Sequence, residues 1–393
     1  MTVRAARLTP PGTAAIATIA VVGEEAWPLL LDLFRDAKGQ SLSETPAVGT
    51  LHFGHFGPPP GDEVVLAHRP GTTEPWFEIH CHGGPILVDW ILEQLSSRGV
   101  TIVDWTELEG IRLNSWLRAA AAVALTRAMT VQTAAILLAQ YHGALENDIR
   151  SIIDDLSIGE VEKTATGLQR LLATKVAGLH LAKPLRVGIF GSPNAGKSSL
   201  INRLAGFERA VVSPIPGTTR EMTTTVVAFD GWPIELIDSP GVRETTDELE
   251  HEGVRRTLAA ATARRCDVVV WVMDRSVPFV APPEDVAIDL TLVNKVDLPP
   301  AWDESRVNGP SIAISATTGA GLQDFQSWLI NLFVKSLAPQ GGVVFSSAVA
   351  SLVEAAAADI SAGKFDSAQT ALAALLQPEQ PSFPASNIES ALD

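Results

Sequence analysis

Residues 185–199 read LRVGIFGSPNAGKSS, an apolar run followed by a glycine-rich turn. Gly191, four further residues and then Gly196-Lys197-Ser198 form the pattern of a phosphate-binding loop that leaves a buried strand and opens a helix at about Lys197. In such a loop backbone N–H groups point at phosphate oxygens, Lys197 reaches the β- and γ-phosphates, and Ser198 offers its hydroxyl to Mg²⁺. The predicted phosphate site comprises Asn194, Ala195, Gly196, Lys197, Ser198 and Ser199.

A second motif predicts which base is bound. Asn294-Lys295-Val296-Asp297 follows the apolar run Ile288–Val293, so it lies at the carboxyl end of a predicted strand, where open α/β sheets bind ligands. A carboxylate at Asp297 can accept hydrogen bonds from the ring N–H and the exocyclic amine of guanine, which adenine cannot supply. GTP and GDP are therefore the expected ligands. The short sequence Ile314-Ser315-Ala316 matches the loop that backs the base, so the predicted base site comprises Asn294, Lys295, Val296, Asp297, Ser315 and Ala316.

A third motif, Asp238-Ser239-Pro240-Gly241, follows the alternating strand pattern Ile234–Ile237. In such sites the aspartate holds Mg²⁺ through water and the glycine N–H senses the γ-phosphate, which makes the following segment a switch. Val242 occupies the position where many GTPases place a glutamine that orients the attacking water, and an apolar side chain cannot do so. Either hydrolysis is slow without help or a later acidic residue supplies the polar group; the candidates are Glu244, Asp247, Glu248 and Glu250.

Three stretches together are similar to one family, the tRNA-modification GTPases called MnmE or TrmE. They read GSPNAGKSSLINRL, SPIPGTTRE and DSPGVRETTDELEHEGV. The resemblance implies that a K⁺ ion is coordinated by Asn194, Ser213, Ile215 and Thr218, and that Thr219 joins Ser198 on Mg²⁺. It adds Pro214, Pro216 and Gly217 to the nucleotide site. It further implies that Glu250 orients the attacking water, with Lys197 as the second catalytic residue, and that two GTPase domains pair across the nucleotide face as a homodimer. The alternative for Glu250 is a surface carboxylate on a predicted helix over 248–258.

Composition limits the other possibilities. The chain has 393 residues, which is enough for two or three domains, and a net charge of −16 that repels nucleic acid on average. Binding of tRNA would therefore need a locally basic patch or a partner protein. Two cysteines cannot form a disulfide framework and suit a reducing compartment. The longest apolar stretch, Ala119–Gln140, has Arg118 at its edge and Arg127 and Gln132 in its interior, and its Ala-rich composition suits a buried bundle helix better than a membrane span. We expect a cytoplasmic protein without membrane contact.

The distribution of residue types predicts four segments. Residues 1–113 combine short β-like runs at 14–22, 63–68 and 76–80 with Gly and Pro punctuation, an α+β pattern. Residues 114–183 are nearly free of Pro and helical, 184–337 form the GTPase domain, and 338–393 contain a helical stretch over 343–376 and an acidic tail. We expect an α/β P-loop GTPase domain inserted into one helical domain, after an amino-terminal α+β domain. The family resemblance implies the same topology.

The amino-terminal segment resembles the family's folate-binding, dimer-forming domain through LTPPGTAAIATIAVVG and EPWFEIHCHGG. Basic residues that contact formyl-tetrahydrofolate in the family are replaced by Ala20 and Trp116, and the family's PGEFT segment is DWTEL at 104–108. We therefore expect this folate to bind weakly or not at all. Alternation along a strand places His80 and His82 on one face and Cys81 on the other, which favours a structural turn over a metal site.

Two functions remain open. The first is a GTP-hydrolysing switch that retains tRNA wobble-uridine modification, with an FAD-dependent partner that resembles MnmG. The second is a regulatory, ribosome or assembly GTPase that has lost folate binding and the modification chemistry. The second is favoured because the family's Phe-Cys-Ile-Gly-Lys tail has no counterpart in this sequence, which ends IESALD and has no cysteine after Cys266.

Overall fold

A computed structural model describes residues 2–42, 44–59, 61–70, 74–207, 224–238, 264–283, 286–334 and 341–377. Of these, residues 2–123 with 366–377 form one compact unit, and residues 124–365 form a second. In the described part of the chain, no helix combines the length and the apolar composition that crossing a bilayer requires.

The first unit is built on a seven-stranded sheet. Its strands are β1 (Arg4–Arg7), β2 (Ile16–Val22), β3 (Phe34–Asp36), β4 (Leu51–Phe56), β5 (Asp62–Arg69), β6 (Trp76–His82) and β7 (Thr101–Ile102). They lie in the order β3-β4-β5-β6-β2-β1-β7, and only β1 and β7 pair in parallel. The helices are α1 (Ala26–Leu33), α2 (Pro85–Ser96) and α3 (Trp105–Leu113). The three predicted β-like runs all form strands, so the α+β pattern is confirmed.

Alternation along the central strands divides the apolar residues of this unit between two cores. Ile19 of β2 and Ile79 of β6 face the larger core, which also contains Leu30 of α1 and Ile91 of α2. The opposite face contains Ala20, Val22, Trp76 and Leu108, the last from α3. Because successive side chains of a strand point to opposite faces, one pattern of alternation supplies both cores.

Short helices follow the sheet. They are α4 (Trp116–Thr126), α5 (Val131–Tyr141), α6 (Ala144–Ser157), α7 (Val161–Ala173) and α8 (Lys175–Leu179), and α4 includes the boundary between the two units. The expectation of one bundle helix over Ala119–Gln140 was wrong. Thr130 has extended backbone angles and its side chain accepts a hydrogen bond from the N–H of Thr133, which begins a new helix at Val131.

A six-stranded sheet forms the centre of the second unit. Its strands are β8 (Leu185–Gly191), β9 (Thr224–Phe229), β10 (Trp232–Asp238), β11 (Val268–Asp274), β12 (Leu290–Asn294) and β13 (Ser311–Ala313). The order is β13-β12-β11-β8-β10-β9, and every neighbouring pair is parallel except β9 with β10. Helix α9 (Lys197–Phe207) follows β8, and α10 (Leu322–Phe333) follows β13. The predicted α/β domain is therefore confirmed.

Residues after the sheet contact the helices that precede it. Helix α11 (Ser347–Ser361) packs on α7, the side-chain amide of Gln140 donates to the carbonyl of Gly341 at 3.2 Å, and Thr174 Oγ1 accepts from the N–H of Val344 at 3.0 Å. The predicted helical stretch over 343–376 forms two helices. Ser346 caps α11, and residues 362–364 separate it from α12 (Phe365–Leu375), with Gly363 at φ 72°.

Candidate nucleotide-binding site

The carboxyl ends of the parallel strands meet at one edge of the six-stranded sheet, and the predicted phosphate loop lies there. The loop connects β8 to α9, and Lys197 is the first residue of that helix, as predicted. Lys197 Nζ donates to the carbonyls of Gly191 at 3.0 Å and Ser192 at 2.9 Å. The ammonium group thus lies across the loop, within side-chain reach of the volume that the loop encloses.

Two glycines give the loop its shape. Gly191 has φ 146° and Gly196 has φ 93°, values that L side chains rarely adopt. A Cβ at Gly191 would lie 2.2 Å from the carbonyl oxygen of Val272, and one at Gly196 would lie 2.3 Å from Asn294 Nδ2. Only a glycine at position 196 lets the Asn294 side chain come so close to the loop. This close approach joins the phosphate loop to the base motif.

Ser198 and Asp238 form the part of the site that suits a magnesium ion. Ser198 Oγ donates to Asp238 Oδ2 at 3.0 Å, which joins the start of α9 to the end of β10. Asp238 Oδ1 is buried and has no hydrogen-bond partner among the described residues. A buried carboxylate oxygen without a partner is costly. A divalent cation with its water shell would satisfy this oxygen, so the residues present fit Mg²⁺.

Asn294 connects the base motif to two other loops. Its side chain is buried, donates from Nδ2 to the carbonyl of Ala195 at 2.7 Å, and accepts at Oδ1 from the N–H of Ala316 at 3.0 Å. The N–H of Val296 also donates to the carbonyl of Ile314 at 3.2 Å. The structure therefore brings the predicted phosphate loop, base motif and base-backing loop together. Asp297 is exposed at this edge.

Ser315 shapes the loop that backs the base. The residue is fully buried, its Oγ accepts from the N–H of Thr318 at 3.0 Å, and its carbonyl accepts from the N–H of Gly319 at 2.8 Å. Arg203 of α9 donates to the carbonyl of Thr318 at 3.2 Å. This bond joins the phosphate-side helix to the base-side loop across 115 positions of sequence.

Lys295 forms an ion pair with Asp274, the last residue of β11, with Nζ and Oδ2 2.6 Å apart. Burial alone would raise the pKa of the Asp274 carboxyl, but hydrogen bonds from Lys295 and Ser276 hold that pKa below its usual value. The Asp274 carboxylate of the folded protein is therefore charged near neutral pH.

Several predicted site residues lie outside the described residues. They are Ser213, Pro214, Ile215, Pro216, Gly217, Thr218, Thr219, Ser239, Pro240, Gly241 and Glu250. Of the predicted K⁺ ligands, the described part of the chain contains only Asn194, an exposed residue with φ 60°. The K⁺ ligands, the role of Glu250 and the Thr219 contact stay predictions.

Two protein families match the chain in separate segments. The family described as "GTP-binding protein TrmE N-terminus" matches residues 3–107, and the family described as "50S ribosome-binding GTPase" matches residues 186–297. The "tRNA modification GTPase MnmE" of Geobacillus thermodenitrificans is 30% identical over 392 residues, which cover 87% of this chain and 84% of that protein. The chain belongs to the MnmE family. The predicted family, and with it a GTP-binding switch protein, is confirmed.

A second curated relative of this MnmE-family chain and one solved structure also match it. The "tRNA modification GTPase MnmE" of Thermus thermophilus is 33% identical over 349 residues, which cover 80% of this chain and 78% of that protein. Among solved structures, Era from Aquifex aeolicus bound to GDP and AlF4⁻ is 25% identical and covers 41% of this chain and 58% of that chain. Its TM-score is 0.27, so we draw no conclusion from that likeness.

The amino-terminal unit of this MnmE-family chain places two of its departures from the family pattern in buried positions. Ala20 is fully buried and pairs in register with Glu78, and Trp116 is 2% exposed. Glu78 forms an ion pair with Arg69 at 3.2 Å, and its second carboxylate oxygen lies 3.4 Å from His80 Nε2. The Glu78 carboxylate is therefore paired with a residue of the chain itself, and neither replacement supplies a charge for an anionic ligand.

Sequence reasoning missed three contacts of the site. These are the Asp274 pairing with Lys295, the Arg203 contact with Thr318, and the bond from Trp302 Nε1 to the carbonyl of Asp274 at 3.0 Å. Each joins residues that are distant in sequence, and no single motif contains both partners. An aspartate at the end of the apolar run 268–273 was the one available signal.

Proposed function

We propose that this MnmE-family chain hydrolyses GTP with Mg²⁺ and K⁺ as cofactors. The observation that carries the proposal is the buried Oδ1 of Asp238, which has no hydrogen-bond partner among the described residues and belongs to the carboxylate that accepts from the Ser198 hydroxyl, at the edge where the phosphate loop and the base motif meet. Ser198, Asp238 and Thr219 would hold Mg²⁺, which neutralises charge on the phosphates. Lys197 would exchange its loop carbonyls for phosphate oxygens, because a charged acceptor is stronger than a neutral one.

The K⁺ part of the proposal rests on sequence resemblance and on the position of Asn194 in the phosphate loop. A monovalent cation beside the β- and γ-phosphates would act as an arginine finger does, by stabilising charge that develops in the transition state. Asn194, Ser213, Ile215 and Thr218 would coordinate it. Glu250 would orient the attacking water, a role that Val242 cannot fill. Pairing of two GTPase domains as a homodimer would complete this arrangement.

A turnover assay tests the proposal. We expect GTP and not ATP to be hydrolysed, faster in K⁺ than in Na⁺ at equal ionic strength and at a protein concentration that favours dimers. Lys197→Ala should lose phosphate binding in either salt. Glu250→Ala should keep GTP affinity and lower turnover by about 10²–10⁴-fold, the range typical of general acid–base groups.

Matched variants separate the possible water-orienting residues. Glu244→Ala and Glu248→Ala remove neighbouring carboxylates and should hydrolyse GTP normally. A wild type that is indifferent to the cation would remove the K⁺ proposal. Normal turnover in Glu250→Ala together with loss in either neighbour would move the water-orienting role to that neighbour.

We further propose that the GTPase domain, residues 184–337, is inserted into one helical domain formed by 114–183 and 338–393. Support comes from the packing of α11 on α7 and from the bonds of Gln140 and Thr174 to residues 341 and 344. These contacts join segments on either side of the GTPase sequence.

For the cellular role, we propose tRNA wobble-uridine modification with an FAD-dependent, MnmG-like partner in the cytoplasm. The proposal rests on family membership and on the likeness over most of the chain to proteins named as tRNA modification GTPases. Mass spectrometry of tRNA wobble uridines from cells with and without this gene tests it, since a missing modification supports the role and unchanged tRNA opposes it. The buried Ala20 and Trp116 favour loss of formyl-tetrahydrofolate binding, and calorimetric titration of the intact protein tests that separately.

A second candidate is a regulatory or ribosome-assembly GTPase that has lost the modification chemistry. One observation favours it, namely the match of residues 186–297 to the family described as "50S ribosome-binding GTPase". Co-sedimentation of the GTP-loaded protein with ribosomal subunits would distinguish the two roles. Association in the GTP state together with unchanged tRNA would favour this second candidate.

A further inference from the structure

Asp274 lies at the end of β11, beside the base motif, and has no role in the site as proposed so far. It pairs in register with Asn294, and its side chain is 7% exposed. The carboxylate accepts three hydrogen bonds, from the Ser276 N–H at 2.8 Å, from Ser276 Oγ at 2.6 Å and from Lys295 Nζ at 2.6 Å. Such a carboxylate is fixed in position by its own partners.

Lys295 has a left-handed backbone, with φ 66°, a conformation that non-glycine residues rarely adopt. Its carbonyl accepts from the N–H of Leu298 at 3.0 Å, which closes the turn that contains Asp297. An unfavourable backbone conformation persists only where surrounding contacts maintain it. The bond from Lys295 Nζ to Asp274 is such a contact, because it fixes the far end of the same residue's side chain.

The segment after Asn294 is also held at its two ends by the end of β11. The N–H of Arg275 donates to the carbonyl of Asn294 at 3.0 Å, and the N–H of Ala301 donates to the carbonyl of Arg275 at 2.8 Å. Trp302 Nε1 donates to the main-chain carbonyl of Asp274 at 3.0 Å. Asp297 lies between these anchors, so its position follows from how residues 274 and 275 are held.

We propose that Asp274 is a positioning residue for the guanine site, which acts through Lys295 to fix the turn that presents Asp297. The inference rests on the proposed contact of Asp297 with guanine. Asp274 itself touches no base. Removal of the Asp274 charge should reduce the preference for guanine over a base that lacks the exocyclic amine. The contact with that amine depends on the placement of the Asp297 carboxylate.

Binding of fluorescently labelled GDP and IDP tests the proposal, since hypoxanthine lacks the exocyclic amine. Asp274→Asn keeps the side-chain oxygen that accepts from Ser276 and removes the charge that holds Lys295. We expect it to weaken GDP binding about 10-fold and to lower the GDP-to-IDP affinity ratio toward one, an effect within the usual range for coupled neighbours. In a Lys295→Met background the same change should have little further effect.

Asp289→Asn is the matched control. Asp289 precedes β12 and its Oδ2 accepts from the N–H of Val269 at 2.8 Å, which is the same kind of bond at the opposite end of β11. The Asp289→Asn variant should bind GDP and IDP with the affinities of the wild type. If Asp274→Asn lowers thermal stability but keeps the GDP-to-IDP ratio, or is fully additive with Lys295→Met, the positioning role is wrong. A wild type that binds ADP as well as GDP would instead overturn the guanine assignment on which the inference rests.

Discussion

At the scale of single residues, Asp297 gives the sharpest prediction, because its carboxylate is proposed to accept two hydrogen bonds from guanine. Asp297→Asn replaces one acceptor with a donor, which matches the carbonyl that xanthine has in place of the amine. We expect the variant to bind XDP better than GDP, as measured by competition against labelled nucleotide. Asp303→Asn is the control, since Asp303 only caps a short 3₁₀ turn at 304–306. Retention of the wild-type preference for GDP in Asp297→Asn would contradict the base assignment.

The two cysteines give a prediction on thiol chemistry. Burial raises the pKa of both the Cys81 and the Cys266 thiols to about 11. Because only the thiolate is nucleophilic, reaction with a thiol reagent at pH 8 should be about 200-fold slower than for an ordinary cysteine of pKa near 8.5. The rate should rise with pH up to about 11. Colorimetric titration with and without denaturant measures it, and rapid labelling of the native protein would contradict the prediction.

At the scale of elements, the phosphate loop depends on a glycine at 196. Gly196→Ala would combine a strained φ of 93° with a Cβ 2.3 Å from Asn294 Nδ2, so we expect loss of GDP and GTP binding. Gly206→Ala is the control, because Gly206 lies in α9 and a Cβ there would meet no described residue within 4 Å. That change should leave binding intact and stabilise the protein by about 0.5–1 kcal/mol. Normal GDP affinity in Gly196→Ala would show that the loop can rearrange.

Elements were predictable from sequence where a local signal decides them. The strand before Gly191 and the helix at Lys197 follow from an apolar run and a loop motif, and both form where predicted. The break between α4 and α5 was missed, because Thr130 lies in an Ala-rich stretch whose composition alone favours one continuous helix. The Asp274 pairing was missed for another reason. It joins the ends of two strands, and the pairing register that brings them together is not encoded in either segment alone.

At the scale of the whole molecule, chemical motifs and the alternation of apolar residues predict different parts of the structure. The motifs predicted the nucleotide edge of the six-stranded sheet, because phosphate and base chemistry restrict residue types at fixed spacing. The amino-terminal unit has no such motif, and its core could be inferred only as alternation in β2 and β6. The burial of Ala20 and Trp116 required the structure, since a replaced basic residue can either face solvent or enter a core.

The charge of the whole chain leads to a prediction about RNA. With 29 Lys and Arg against 45 Asp and Glu, the average field repels a polyanion. We expect the protein alone to bind labelled tRNA with a dissociation constant above about 10 µM near physiological salt, as measured by fluorescence anisotropy. Lowering the salt should strengthen binding only slightly, because few counterions are released where few cationic groups meet phosphates. Tight binding that strengthens steeply at low salt would reveal a concentrated basic patch, and the protein would then recognise tRNA without the partner that its net charge otherwise requires.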